Sequence, residues 1–189
     1  MSWYCEVAPG HPIHGKYHDK EYGFPGRSER ELFELLALEI FQPGLSWELI
    51  LKKRPTTVEA FENFDVDKVA NYKKRDINRL LKNPGIIRNR RKVEAIIKNA
   101  TVIIEMRETH GGFAKWLAKN HPLAHKDWVK LFRKHFAFTG PEVVNEFLMG
   151  TGYLPGAHAK KCPIYKKISA KNPPWMKADQ SIYKNNPKV

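Results

Sequence analysis

The sequence predicts an all-α fold of about eight or nine helices. Apolar residues recur at three- and four-residue steps, most clearly at Val93, Ile96, Ile97, Ala100, Ile103 and Ile104. That spacing puts them on one face of a helix. Helix-start residues and Gly or Pro stops alternate along the chain, and no segment sustains the two-residue alternation of a strand.

Each element has its own signal. Ser28-Glu29-Arg30-Glu31 reads as a capping box, in which side chains at the first turn satisfy the free backbone donors. It opens a helix over 29–41, and Pro43-Gly44 stops it. Ser46 can cap a helix over 47–54, which Pro55 is expected to end. Thr56 or Thr57 caps a short helix through Phe64, and Asp65 starts another near Val69. Pro84-Gly85 breaks the chain before the long periodic helix, and Gly111-Gly112 ends that one. Segments 113–119 and 127–136 follow as helices. Gly140-Pro141 opens a last one through Met149, since proline needs no N–H at a first helical turn. From Lys166 onward Lys, Asn and Pro dominate, which predicts a mobile or loosely draped basic tail over 166–189.

With 189 residues, the chain is expected to form a single domain. Lys and Arg number 33 against 20 acidic residues, a net charge of +13. Such a surplus favours polyanionic partners through counterion release. The basic residues are spread over many segments rather than along one amphipathic helix, which argues against a membrane-surface role. No apolar run approaches the roughly 20 residues of a membrane helix. The opening Met1-Ser2-Trp3-Tyr4-Cys5-Glu6 lacks the features of a signal peptide, so a cytoplasmic protein is expected. Two cysteines are no secreted disulfide framework. Cys5 and Cys162 are either buried thiols or metal ligands.

The anomalous residue is Glu39, within Leu35-Leu36-Ala37-Leu38-Glu39-Ile40-Phe41. A carboxylate in so apolar a run is costly unless it is paired or used. Either it meets a solvent gap or a backbone group, or it marks a site. The turn Gln42-Pro43-Gly44-Leu45-Ser46-Trp47 follows. Leu45 could enter a DNA base stack from the Gly44 turn, and Trp47 could stack on an extruded base. Both could equally be core residues of a helix corner. Phe138-Thr139-Gly140-Pro141 is similar to a helix–hairpin–helix turn, where Thr139 and Gly140 would offer backbone N–H groups to a phosphate. Lys130, Arg133 and Lys134 precede it. Cys5, His18, His158 and Cys162 offer two sulfurs and two imidazoles, the donor set of a closed tetrahedral zinc site.

Together these residues resemble the DNA-3-methyladenine glycosylase I family. The matching stretches include Tyr17-His18-Asp19-Lys20-Glu21-Tyr22-Gly23, Leu38-Glu39, Gly44-Leu45-Ser46-Trp47, Leu51-Lys52-Lys53-Arg54, Phe64-Asp65, Gly85-Ile86-Ile87-Arg88-Asn89-Arg90 and His158-x3-Cys162. They run from Cys5 to about Cys162 and are poorest between Gly112 and Lys134. The resemblance implies a helix–hairpin–helix glycosylase fold of two helical lobes with a base pocket between them. It implies structural zinc on Cys5, His18, His158 and Cys162, tying segments 1–27 and 151–165 together. It further implies that Glu39 and Tyr17 hydrogen-bond a flipped base, that Trp47 stacks on it with Tyr22 beside it, and that Leu45 probes the stack. The implied partner is double-stranded DNA carrying alkylated bases, engaged by a monomer. Lyase-type relatives carry a Lys near the hairpin helix where Glu142 stands here, and no Asp occurs between Pro141 and Lys177. A monofunctional enzyme is therefore expected.

The chain also departs from the family pattern. Glu6 and Val7 stand where a tryptophan is usual, His14 replaces a tyrosine, and Tyr22 replaces a tryptophan. Trp3 is the candidate to compensate. These changes bear on lesion choice. They leave three alternatives: a glycosylase for another alkylated purine, a non-catalytic zinc-containing DNA-binding protein, and a zinc-stapled helical interaction protein.

Overall fold

The computed structural model describes residues 4–187, so Trp3 lies outside the described residues. Among those residues the structure is helical throughout, with no strand. The helices are α1 Tyr4–Val7, α2 His14–Lys20, α3 Glu29–Phe41, α4 Trp47–Ala60, α5 Val66–Ala70, α6 Lys74–Lys82, α7 Arg90–His110, α8 Phe113–Asn120, α9 His125–His135, α10 Pro141–Gly150, α11 Pro163–Ala170 and α12 Pro174–Lys177. Short 3-10 turns lie at Glu62–Phe64 and Gln180–Tyr183. The all-α expectation holds.

Helix α3 is the shared element of two halves. Every residue from Leu32 to Phe41 is buried, as the apolar run demanded. On one side it meets α4, α7 and the Glu62–Phe64 turn. There Phe33, Phe41, Phe61 and Phe64 pack together, the last two stacked at 5.2 Å. On the other side it meets α8 and α10. There Phe113, Trp116, Trp128, Phe132, Phe136 and Phe147 form a second aromatic group. Both groups belong to one continuous core.

The capping signals act as read. Ser28 and Glu31 close the capping box of α3, Ser46 accepts from the Leu49 N–H at 3.2 Å, and Asp65 accepts from that of Lys68 at 3.1 Å. Three expectations need correction. Helix α4 does not end at Pro55 but runs through it to Ala60. Thr56 and Thr57 therefore lie inside α4 rather than capping a new helix through Phe64, and their hydroxyls donate to the Lys53 carbonyl at 3.0 and 2.7 Å. Helices α1, α2, α6, α11 and α12 have no counterpart in the sequence reading. Finally, the 166–189 segment is docked through its described part. Ile168 and Tyr183 are buried, the Trp175 N–H donates to the Gly152 carbonyl at 3.2 Å, and the Tyr183 hydroxyl meets His121 Nε2 at 3.0 Å.

Candidate active site and metal centre

Helix α3 buries two carboxylates, and their surroundings differ. Glu34 pairs with Arg54 from α4 at 2.7 Å and with Arg30 at 3.0 Å. Arg54 also reaches Glu21 at 2.7 Å, so the network ties α4 to the end of α2. Glu39 is equally buried, at 3 % exposure, but among the described residues no cation or hydrogen bond offsets its burial. Desolvation, with repulsion from Glu146 on α10, holds its carboxyl well above the usual range. Glu34 is thus a satisfied structural acid, and Glu39 is an acid waiting for a partner.

Around Glu39 stand aromatic and phenolic groups. Tyr17 on α2 is buried, and its hydroxyl has no hydrogen-bond partner among the described residues. Burial and the nearby Glu39 push its pKa well above normal, so the phenol stays protonated. The Trp47 ring, at the start of α4, lies 5.2 Å from that of Tyr17 at a steep angle, and the Tyr22 ring lies 5.6 Å away. Helix α10 closes this wall: a Cβ at Gly150 would come within 3.4 Å of the Tyr17 hydroxyl and 3.3 Å of Leu35. The structure therefore brings Glu39, Tyr17, Tyr22 and Trp47 together.

Two members of the wall carried no sequence signal. Tyr4 packs edge-on against Tyr22, His14 and His18 at 5.4–5.6 Å and shares a hydrogen bond of 3.1 Å with His14 Nδ1. It supplies an aromatic ring on the side where the usual ones are missing. Glu146 accepts a hydrogen bond from the Tyr22 hydroxyl at 3.0 Å. Only contact across 124 residues reveals it.

The turn after α3 is tight. Leu45 N–H donates to the Gln42 carbonyl at 2.7 Å, and Gly44 has a φ of +86°. Proline followed by glycine at positive φ is the pattern of a type II turn. Leu45 is half-buried at its end, and Gly44 is exposed with open space around it. Lys92 from α7 donates to the carbonyls of Phe41 and Pro43, both at 2.8 Å, and lies 5.7 Å from the Phe138 ring centroid. It joins this turn to the turn between α9 and α10. In that second turn, Gly140 is open and Phe138 is exposed. The Thr139 side chain is buried and donates to the Phe136 carbonyl at 3.0 Å, so only the Thr139 backbone is left for a ligand. Lys130, Arg133 and Lys134 are exposed on α9.

The four sulfur and imidazole residues also converge. One donor atom from each of Cys5, His18, His158 and Cys162 lies within 4.8 Å of all the others. Cys162 Sγ is 3.5 Å from His158 Nδ1 and 3.8 Å from His18 Nε2, and Cys5 Sγ is 3.6 Å from His158 Nδ1. Those separations suit a tetrahedral ion, whose ligand atoms lie about 3.3–3.8 Å apart. The outward ring nitrogens are held as well: His18 Nδ1 by Asp19 at 2.6 Å and His158 Nε2 by the Tyr22 carbonyl at 2.9 Å. Such outer partners fix the tautomer of a metal-binding histidine. The group can hold a metal ion.

Comparison with known proteins bears on this arrangement. A family model described as methyladenine glycosylase matches residues 7–130. The chain belongs to that family. A Haemophilus influenzae DNA-3-methyladenine glycosylase is 35 % identical over 182 residues, covering 86 % of this chain and 98 % of the relative. The Escherichia coli DNA-3-methyladenine glycosylase 1 is 41 % identical over 119 residues, covering 62 % of this chain and 64 % of the relative. The solved Staphylococcus aureus 3-methyladenine DNA glycosylase I superposes with a TM-score of 0.76 at 33 % identity, over 85 % of this chain and 95 % of that one. A variant of a 3-methyladenine DNA glycosylase I solved with 3-methyladenine superposes at 0.77 with 33 % identity, over 85 % and 96 % of the two chains. The methyladenine glycosylase fold thus extends beyond the matched segment into the C-terminal half. Among the described residues, no helix is long and apolar enough to cross a membrane.

Proposed function

We propose that this chain is a monofunctional DNA-3-methyladenine glycosylase that acts as a monomer on double-stranded DNA. One observation carries the assignment of the pocket: a buried Tyr17 hydroxyl without a partner among the described residues stands beside the buried Glu39, whose charge no described cation offsets, with Trp47 against Tyr17. Unsatisfied polar groups of this kind are costly unless a ligand completes them. An N3-methylated adenine in DNA carries positive ring charge, amino donors and a flat face. The Glu39 carboxylate accepts from the amino group and attracts the charge. Tyr17 supplies a second hydrogen bond. Trp47 and Tyr22 offer ring faces, and a cation over an aromatic face gains about 0.5–2 kcal/mol.

The charged base leaves as a neutral molecule, so its glycosidic bond is already weak. The protein then needs to extrude the nucleotide, hold its edge and admit water. Leu45, carried by the Gly44 turn, fills the gap left in the stack. The backbone at Thr139 and Gly140, in a helix–hairpin–helix role, receives a DNA phosphate with Lys130, Arg133 and Lys134 nearby. Zinc is the metal that a two-cysteine, two-histidine set suits. When bound, it supplies a structural cross-link between the two ends of the chain and no chemistry at the base.

The test is release of free 3-methyladenine from methylated duplex DNA. The wild type should release it, and Glu39→Gln should lower the single-turnover rate at least 100-fold with zinc content unchanged. Absence of release by a protein that binds the DNA would overturn the assignment. A borohydride-trapped covalent adduct would overturn the monofunctional part.

A further inference from the structure

Glu39 is not alone. Glu146 stands one turn before Gly150 on α10, the helix packed against Tyr17 and Tyr22. Its Oε2 accepts from the Tyr22 hydroxyl at 3.0 Å, which fixes its position on the same wall. It differs from Glu39 in depth: Glu39 is buried, whereas Glu146 is partly exposed. No Lys or Arg acts on it. Burial raises its pKa, Glu142 adds to this, and the hydrogen bonds from Tyr22 and Asn145 oppose it. Its charge is in turn felt by Glu39, Tyr17, Tyr22 and Tyr4. The wall therefore carries two mutually repelling carboxyls, and the nearby Arg27, which donates to the Gly150 carbonyl at 3.4 Å, acts on Tyr17 but on neither carboxyl.

We propose that Glu146 is a specificity-determining residue of the base pocket: held by the Tyr22 hydroxyl across from Glu39, it gives the pocket a second carboxylate that favours purines carrying positive ring charge over neutral purines of the same shape. The proposal rests on the glycosylase assignment above. Its physics is direct. Two mutually repelling carboxyls in a largely buried site cannot both be charged without cost, which favours one shared proton in the empty pair. A cationic ring relieves that repulsion and gains attraction from both groups. A neutral ring does neither, and so gains nothing from the second acid. Tyr22 takes part through its hydroxyl: a side chain without that donor would leave Glu146 held by Asn145 alone.

The probes are two small bases with the sugar replaced by methyl. One is 3,9-dimethyladenine, a cation until its amino group loses a proton in strong base. The other is its isostere with ring N3 replaced by carbon, titrated at a mildly alkaline pH where its N1 is unprotonated and the ring is neutral. Calorimetric titration of the folded, zinc-loaded protein should show the wild type binding the cation at least tenfold more tightly. Glu146→Gln keeps the shape and an acceptor for Tyr22 but loses the charge. It should cut that ratio at least threefold by weakening the cation alone. Glu146→Ser should do the same, which covers poor folding of the first variant. No cation preference in the wild type would overturn the proposal. So would an unchanged ratio in the variants, or equal weakening of both bases. Methylated-DNA release by the wild type is measured alongside. Its failure sinks the glycosylase assignment, whereas the charge ratio speaks to Glu146.

Discussion

The contrast between Glu34 and Glu39 shows how one helix can bury two acids for opposite ends. Glu34 is neutralised by Arg30 and Arg54 and stabilises the fold. Among the described residues nothing compensates Glu39, and its pKa in the folded state lies well above its unfolded value near 4.5. Between those two values the folded state binds more protons, so stability falls as pH rises. The stabilising contribution is full below about pH 4.5 and is lost as pH climbs through the raised folded value. Glu39→Gln cannot ionise. It should therefore melt higher than the wild type at pH 8, by roughly 2–4 °C per kcal/mol in a chain of this size, with the gap closing toward pH 5. Calorimetric melts across that range check this; a variant less stable at pH 8 would mean that Glu39 is satisfied after all. Glu39 was legible in the sequence because a charge interrupts an otherwise apolar run. Glu146 was not. Asn145-Glu146 on α10 reads as an ordinary polar step, and only the fold shows Tyr22 reaching it.

At the scale of elements, helix boundaries were legible wherever capping and stopping are local. The Ser28 box, the Ser46 and Asp65 caps and the Pro43-Gly44 stop depend on neighbours a few residues away. Pro55 did not act as a stop: it removes one backbone bond, that to the Leu51 carbonyl, and the helix continues on its remaining bonds to Ala60. The two turns proposed to meet DNA share a support that sequence reading missed. Lys92 is buried, its pKa is lowered by desolvation, and it donates to two carbonyls at the C-terminal end of α3, where a positive charge is favourable. It also faces Phe138. Lys92→Met keeps the length of the side chain but leaves both carbonyls without that donor. The variant should lose about 1.5–3 kcal/mol per charged hydrogen bond before relaxation. It should also bind duplex DNA more weakly while holding free 3-methyladenine unchanged. Urea melts and duplex titration check both; unaltered duplex affinity would separate Lys92 from the Leu45 turn.

At the scale of the whole molecule, the all-α class followed from periodicity, while the docking of the last segment did not. Lys, Asn and Pro outnumber the residues that pack there, so composition reads as a tail. Yet Ile168, Trp175, Ile182 and Tyr183 are spaced to meet the body, and Tyr183 is anchored on His121. A chain ending at residue 170 should lose stability in proportion to that contact, about 1.5–3 kcal/mol for each fully buried apolar side chain removed. The urea midpoint measures it, and an unchanged midpoint would show the segment to be dispensable. The metal centre was legible only in its donor types. Spacing could not pair Cys5 and His18 with residues 140 positions away, and the family resemblance supplied that step. The structure adds Asp19 and the Tyr22 carbonyl as its supports.

Tyr22 touches both centres. Its carbonyl accepts from His158, and its hydroxyl donates to Glu146. A chromophoric ion in the cysteine–histidine cluster would therefore sense the pocket from outside it. Cobalt(II) exchanged into the site should give visible bands that shift when 3-methyladenine is added, and shift less in Tyr22→Phe. Bands indifferent to a saturating base would show the two centres to be insulated. A shift would make the staple a built-in optical gauge of occupancy, usable without labelling either the DNA or the base.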